Sequence, residues 1–332
     1  MLKIKVIESC INQCGILMND NIIYDYAILI PVYCNSESLE ELHKQINNKV
    51  IQNNSDLNGI IIFCDDGSED NSYDVLLKLK NSHQHINILK LTRNFGQVPA
   101  LYACLKNIES KAYIIMSADL QDPVELINEF LNHYFKNKFE IVYGERIGRA
   151  DSLTSKIAAK IFYKIISKLS FPNYPAGGFD YFLISKRVRD LVLKMNQTNP
   201  FIQGEILFTG HKSKRIQYQR GKRPFGTSKW TLSKKITYFI DAIMSYSFFP
   251  LRIMSLLGLA LFFISISFLV YILILKILGL GTFPYGWASI MVIVLFLGGV
   301  QMVFLGILGE YLWRVLSEVR NKPHYIIEEI IK

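Results

Sequence analysis

The residues best placed to do chemistry lie in Ser117-Ala118-Asp119-Leu120-Gln121-Asp122-Pro123. An apolar run, Ala112 to Met116, precedes them and reads as a buried strand, and Val124 to Phe135 follows as a helix. A carboxylate therefore sits where a strand of an α/β sheet ends, which is where such sheets bind ligands. On extended backbone, positions two apart share a face, so Asp119 and Gln121 present two oxygen ligands to one hard cation. Mg²⁺ or Mn²⁺, held by few protein oxygens with phosphate oxygens completing the shell, suits that donor set. The same spacing also allows Asp119 and Asp122 to cap the next helix. Spacing alone leaves both readings open.

A second acidic group, Asp65-Asp66-Gly67-Ser68-Glu69-Asp70, ends the run Ile60 to Cys64. Adjacent carboxylates at a strand end are costly to keep charged unless they meet water, cations or ligand donors. They could accept bonds from a base N–H or ribose hydroxyls, or form an acidic turn that caps a helix.

The elements that position these groups follow from the apolar runs Tyr26 to Val32, Ile60 to Cys64, Ile86 to Leu91, Tyr113 to Met116 and Glu140 to Tyr143. Amphipathic segments such as Ser36 to Ile51 and Asp70 to Leu79 lie between them. This alternation predicts an α/β fold with a mostly parallel sheet covered by helices. Neither Gly-x-Gly-x-x-Gly nor a Walker Gly-Lys-Ser/Thr is present, so oxidoreductase and P-loop readings lose their main support.

Half of the 332 residues are hydrophobic, and the mean hydropathy is +0.21. Two segments, Ile253 to Leu275 and Trp287 to Gly309, carry no charge over 23 residues each. As helices they span about 34 Å, enough for a hydrocarbon core of roughly 30 Å. Both outer flanks are basic (Lys234, Lys235 and Arg252 before, Arg314, Arg320 and Lys322 after), whereas the intervening Lys276 to Gly286 carries one charge. The positive-inside bias then predicts a multi-pass protein of the cytoplasmic membrane, with its large N-terminal part and both termini in the cytoplasm. Met1 to Tyr26 lacks the continuous apolar core of a signal peptide.

Nine Lys and Arg and no acid occupy residues 206–240. Such a tract can serve as topology signal, lipid-surface anchor or binding site for a phosphorylated substrate. Nucleic acid is not an expected partner, because the charge lies against the bilayer and nucleic-acid motifs are missing. Lys156, Lys160, Lys164 and Lys168 recur every four residues beside an apolar stripe of Ile157, Ile161, Ile165 and Leu169, which fits either a solvated helix face or an interfacial helix on anionic lipid. Gly298, Gly299, Gly306 and Gly309 permit close helix contacts, a homo-oligomer among them. The five cysteines form no CxxC pair and read as free thiols of a reducing compartment.

Taken in order, Pro31-Val32-Tyr33, Asp65-Asp66-Gly67-Ser68, Arg93-Asn94-Phe95-Gly96, Ala118 to Pro123 and Gly226-Thr227-Ser228-Lys229-Trp230 resemble family 2 of the glycosyltransferases. More narrowly they resemble its polyprenyl-phosphate branch, the bacterial undecaprenyl-phosphate sugar transferases and dolichyl-phosphate mannose synthase. The likeness runs from about Tyr26 to Ile327 and includes the two apolar C-terminal segments.

The resemblance implies a cytoplasmic GT-A domain over residues 26–230, after an N-terminal extension of unassigned role over residues 1–25. An amphipathic juxtamembrane segment over residues 231–252 would follow, then membrane helices over residues 253–275 and 287–309 and a cytoplasmic tail over residues 310–332. It implies inverting transfer of a sugar from a nucleotide sugar, UDP-glucose by default, to a polyprenyl phosphate such as undecaprenyl phosphate. Pro31, Tyr33, Glu37, Asp65, Asp66, Arg93 and Asn94 would bind the nucleotide sugar, and Asp119 and Gln121 the Mg²⁺ or Mn²⁺. Arg146 would contact phosphate, Ser228 and Lys229 would hold the acceptor phosphate, and Asp119, Arg146 and Lys229 would form the catalytic group. Ser117 stands where dolichyl enzymes place a further Asp, and Cys34-Asn35-Ser36-Glu37 replaces a commoner Asn-Glu-Glu pattern. The Gln-x-x-Arg-Trp motif of processive synthases is absent, which implies one transfer per acceptor. Two other readings are a transferase acting on another membrane acceptor such as diacylglycerol and a non-catalytic membrane scaffold with this fold.

Overall fold

A computed structural model describes residues 23–147, 175, 178–195, 200–221, 224, 249–278, 286–320 and 322–332. The expected stripe at residues 155–169, the acceptor motif at 226–230 and nearly all of the amphipathic segment at 231–252 lie outside them.

Five strands fall where the apolar runs place them: β1 (Tyr24–Val32), β2 (Gly59–Asp65), β3 (Ile86–Leu91), β4 (Ser110–Ile115) and β5 (Ile141–Arg146). Helices α1 (Ser36–Ile46), α2 (Ser72–Ser82), α3 (Gln97–Lys106) and α4 (Leu126–Phe135) alternate with them. Helix α1 continues through a π turn at Asn47–Ile51. After β5 come β6 (Phe182–Ser185), α5 (Lys186–Met195), α6 (Ile202–Phe208) and β7 (Ser213–Tyr218). Two long helices, α7 (Phe249–Ile277) and α8 (Trp287–Arg320), precede a last strand, β8 (Ile327–Ile331).

The eight strands form one sheet in the order β7-β5-β6-β4-β1-β2-β3-β8. Its centre, β3-β2-β1-β4, is wholly parallel. Strand β6 runs antiparallel to both β4 and β5, and β7 pairs parallel with β5. The alternation of side chains along β1 explains why this centre is buried on both faces. Ala27 and Leu29 pack into one apolar layer with α3, whereas Tyr26, Ile28, Ile30 and Val32 pack into the other with α1 and α4. In register, Val32 lies opposite Asp65, and Asp65 opposite Lys90. The carboxyl ends of β1, β2 and β3 therefore form one level edge, and both acidic groups emerge from that side of the sheet.

Both apolar C-terminal segments are helical. Among the described residues one stretch, Phe296–Arg320, is long and apolar enough to cross a membrane, with a mean hydropathy of 1.4 and none of it buried. The helix runs past Gly309 because nothing from Glu310 to Arg320 breaks it, and Glu310 pairs with Arg314 one turn on at 2.9 Å. An ideal Cβ on any of Gly298, Gly299, Gly306 and Gly309 would meet no atom within 4 Å. Beyond α8 the chain returns to the sheet. Strand β8 pairs antiparallel with β3, Thr92 N–H donates to the Ile326 carbonyl at 3.1 Å, and Tyr73 donates to Glu329 at 2.6 Å. Helix α8 is thus tied to the edge of the sheet.

On α6, Glu205 is fully buried and accepts a short hydrogen bond from Tyr102 of α3, while its Oε1 has no partner among the described residues. Burial raises its pKa from 4.5 to about 7; the Tyr102 bond opposes this and Glu318 adds to it. A carboxyl whose folded pKa is raised contributes stability that is complete below the unfolded pKa and lost as pH rises through the folded one. The wild-type unfolding midpoint should therefore fall relative to that of Glu205→Gln between about pH 4.5 and about pH 7. Thermal unfolding in detergent across that range checks it, and parallel pH curves would contradict it.

Candidate active site

The site is built from four loops at the carboxyl edge of the sheet, those that follow β1, β2, β3 and β4. The first two are interlocked. Ser68 Oγ accepts from Cys34 N–H at 3.0 Å, Ser72 Oγ from Asn35 N–H at 2.8 Å, and Asp70 Oδ2 from Ser36 N–H at 3.3 Å. The loop that opens α2 thus satisfies the backbone of the loop that opens α1. The latter carries Tyr33 and needs a left-handed turn at Cys34, with φ of +52°. Asp66 accepts from Phe95 N–H at 2.7 Å with one oxygen and from Gly96 N–H at 2.8 Å with the other. Gly67, at φ +66°, lies so close to the third loop that an added Cβ would stand 2.5 Å from the Arg93 carbonyl carbon. Asn94 in that loop bonds the Tyr33 hydroxyl.

Asp65 and Asp66 therefore differ. Both are buried, and burial raises both pKa values above the ordinary carboxylate range. Asp66 spends both oxygens on holding the third loop. Asp65 accepts from Ser68 N–H at 3.4 Å, and its Oδ1 is buried without a hydrogen-bond partner among the described residues. Pro31 is half-buried near the end of β1, Arg93 is exposed with its guanidinium 4.2 Å from the Phe95 ring centroid, and Glu37 is exposed in the first turn of α1. No hydrogen bond among the described residues joins Glu37 to the other site residues.

The acidic loop after β4 meets this frame through Ser38, whose hydroxyl donates to the Ala118 carbonyl at 2.7 Å. Ser117 Oγ lies 2.6 Å from Asp119 Oδ1 and 3.0 Å from Asp122 Oδ2. A hydroxyl has one hydrogen and cannot donate to both at once. Tyr218 donates to Asp122 Oδ1 at 2.7 Å, and Gln121 N–H to Asp119 Oδ1 at 3.2 Å. Arg220 stands across the pair, with Nη2 3.2 Å from Asp119 Oδ2 and Nε 3.2 Å from Asp122 Oδ1. The Nε contact is an ion pair without hydrogen-bond geometry. Two buried carboxylates thus share the Arg220 guanidinium. Gln121 is fixed against Gly221, its Nε2 donating to the Gly221 carbonyl at 3.1 Å and its own carbonyl accepting from Gly221 N–H at 2.8 Å. The Gln121 amide oxygen and the Asp119 carboxylate are oxygen donors of the kind that suits Mg²⁺ or Mn²⁺.

The capping alternative fails here. The residue before α4 is Glu125, and no side chain caps that helix. The oxygens of Asp122 go to Tyr218, Ser117 and Arg220 instead. Arg146, at the end of β5, donates to Asp180 Oδ2 at 2.8 Å and to the Tyr218 hydroxyl at 3.3 Å. Burial works against its charge, but Asp180, Tyr218 and Asp122 outweigh it and hold its pKa above the ordinary value. Gln203 fixes the other Asp180 oxygen at 3.0 Å. A continuous polar chain therefore runs from Asp119 through Ser117, Asp122, Tyr218 and Arg146 to Asp180. Sequence reasoning missed Asp122 as a site group, and Tyr218 and Arg220 as its partners. The basic tract was their only signal. Ser228 and Lys229 lie outside the described residues.

The profile of the family described as "Glycosyl transferase family 2" matches residues 27–193, the segment that carries the first two loops, the acidic loop and Arg146. The chain is a family 2 glycosyltransferase. Relatives match nearly end to end. An uncharacterized glycosyltransferase of Synechocystis sp. is 33% identical over 307 residues, covering 92% of this chain and 95% of its own. The SfII prophage-derived bactoprenol glucosyl transferase of Shigella flexneri is 33% identical over 305 residues, 91% of this chain and 97% of its own. A prophage bactoprenol glucosyl transferase homolog of Escherichia coli (strain K12) is 31% identical over 307 residues, 92% and 99% respectively. Among solved structures, glucosyl-3-phosphoglycerate synthase from Mycobacterium tuberculosis, in complex with Mn²⁺, UDP and its glucosylated product, matches with a TM-score of 0.48 at 14% identity, over 67% of this chain and 78% of that one. The family membership makes this glycosyltransferase an enzyme of GT-A fold.

For this family 2 enzyme, the double bond from Asp66 to the third loop gives a direct prediction. An amide offers one acceptor oxygen, so Asp66→Asn loses the Phe95 or the Gly96 bond. It should lower stability by about 1–3 kcal/mol, whereas the exposed Glu69→Gln should be close to neutral. Unfolding midpoints of the two variants check this.

Proposed function

We propose that the enzyme transfers a sugar from a nucleotide sugar to a polyprenyl phosphate such as undecaprenyl phosphate at the cytoplasmic face of the membrane, with UDP-glucose the default donor. The observation that carries this reading is the tie between α8 and the catalytic sheet through β8. That tie joins the sheet that carries the acidic loop to a long apolar helix, an arrangement that suits a lipid acceptor. Relatives named bactoprenol glucosyl transferase that match over 91% of the chain support the same acceptor class. Two membrane helices, at residues 253–275 and 287–309, with both termini cytoplasmic, belong to this reading, as does self-association through the open glycine face of α8.

Chemically, donor diphosphate and acceptor phosphate are both anionic, and cations must bring them together. Asp65 Oδ1, buried without a hydrogen-bond partner among the described residues, is suited to a base N–H or ribose hydroxyl. Asp119 and Gln121 would hold Mg²⁺ or Mn²⁺, which when bound supplies Lewis-acid stabilisation of the departing nucleoside diphosphate. Arg220 and Arg146 stand close enough to the acidic loop to meet phosphate oxygens. Ser228 and Lys229 would hold the acceptor phosphate. Its oxygen attacks the anomeric carbon in line, the bond to the diphosphate breaks, and the configuration inverts. A phosphate monoester has a second pKa of about 6 and is largely ionised at neutral pH, so no strong general base is needed. Asp180, pinned by Arg146 and Gln203, is accordingly an orienting group.

Membranes containing the enzyme, given undecaprenyl phosphate and a panel of labelled nucleotide sugars, should form an organic-extractable, mild-acid-labile sugar lipid. Asp119→Ala should abolish it with the protein still folded and membrane-bound, and Lys229→Ala should chiefly weaken use of the lipid acceptor. Label appearing only in a diacylglycerol product would favour the other acceptor, and no labelled lipid with any donor would sink the proposal.

A further inference from the structure

The opposite edge of the sheet carries a cluster that sugar transfer does not use. His43 on α1 is buried. His83 ends α2 and His85 immediately precedes β3, and both are half-buried. The Nε2 atoms of His43 and His85 are 3.3 Å apart. One ligand nitrogen from each of the three rings can be chosen so that all lie within 4.8 Å of one another. Ring centroids are 4.2 Å apart for His43 and His83, 5.4 Å for His43 and His85, and 5.5 Å for His83 and His85. Asp65 lies opposite Lys90, four residues along β3 from Ile86, so the cluster is about 13 Å of strand away from the acidic edge.

We propose that His43, His83 and His85 form a zinc site that clamps α1 to the junction of α2 and β3. Two nitrogens at about 2.1 Å from a tetrahedral Zn²⁺ stand about 3.4 Å apart, close to the observed His43–His85 spacing. His83 must close by at most about 1.4 Å to complete the set, and its half-buried ring sits on extended backbone just beyond α2. Three imidazoles with no carboxylate or thiolate suit Zn²⁺ over Mg²⁺ and Mn²⁺, which prefer oxygen.

The protonation states agree. Burial, with His83 and His85 adding, lowers the His43 pKa to about 4, so its ring is neutral and ready to ligate. Burial, His83 and Lys80 lower that of His85. The Lys80 that acts on His85 donates its ammonium to the Gln84 carbonyl at 3.5 Å. The backbone holds two of the ligands in place independently of metal: His85 accepts from Ile61 N–H at 2.9 Å, and His83 N–H donates to the Lys80 carbonyl at 3.2 Å.

The test uses the full chain without a histidine tag, purified in detergent, stripped with chelator and titrated with Zn²⁺. Wild type should retain one Zn²⁺ per chain after desalting and unfold at a higher temperature with it. The double variant His83→Gln/His85→Gln should lose at least about 100-fold in Zn²⁺ affinity while keeping its sugar-transfer activity. Asp119→Asn should still bind Zn²⁺, which separates this site from the acidic loop. Co²⁺ in place of Zn²⁺ should give the visible bands of a tetrahedral nitrogen site in wild type and in His43-intact Asp119→Asn. A wild-type chain that retains no Zn²⁺, or a double variant that binds it as tightly as wild type, would overturn the proposal.

Discussion

Two carboxylates removed from water at the end of β4 set the terms for the rest of the molecule. Asp119 and Asp122 are held side by side by one serine hydroxyl that can donate to only one of them. Leaving such charges buried costs several kcal/mol unless donors and cations surround them. Tyr218, Gln121 N–H and Arg220 supply part of the compensation, and all but Gln121 come from strand β7 and the residues after it. The parallel pairing of β7 with β5 is what brings them within reach. Acidic side chains gathered at the end of a parallel strand are costly to bury, and these donors and the guanidinium are what offset that cost.

The other loops are arranged around this pair by hydrogen bonds that leave little freedom. Ser38 links α1 to the acidic loop, and Asp66, Ser68, Asp70 and Ser72 fasten the loops of β1, β2 and β3 to one another. The motif around Asp65 thereby has two functions on one stretch of chain. Most of its polar groups hold backbone, and Oδ1 of Asp65 has no hydrogen-bond partner among the described residues. Strand β8 extends this frame to α8, because the chain that leaves α8 pairs as a strand with β3.

Much of this was legible in the residues. The runs that became β1 to β5 are apolar and short, and parallel strands buried on both faces must read that way. The acidic groups at strand ends were visible for the same reason, and the ordered motifs named the family. Three features were not. Asp122 looked like a helix cap, because local sequence cannot show that a tyrosine and an arginine about a hundred residues away will claim its oxygens. Residues 213–218 read as part of a basic tract, although their alternating half-buried and exposed side chains make them an edge strand. Strand β8 was hidden because Glu328 and Glu329 interrupt its apolar residues, and those acids pair with Lys90 and Tyr73, which only the fold brings near.

The central claim is that the Asp119 loop holds a divalent cation. It is tested most directly by titrating Mn²⁺ into the purified enzyme with UDP-glucose and following the free-ion electron paramagnetic resonance signal. The account predicts that wild type removes one equivalent of Mn²⁺ from the free pool, that Asp119→Asn weakens this at least about tenfold, and that Arg220→Met, which takes away the competing positive charge, does not. Mn²⁺ binding of equal affinity in wild type and Asp119→Asn would contradict it.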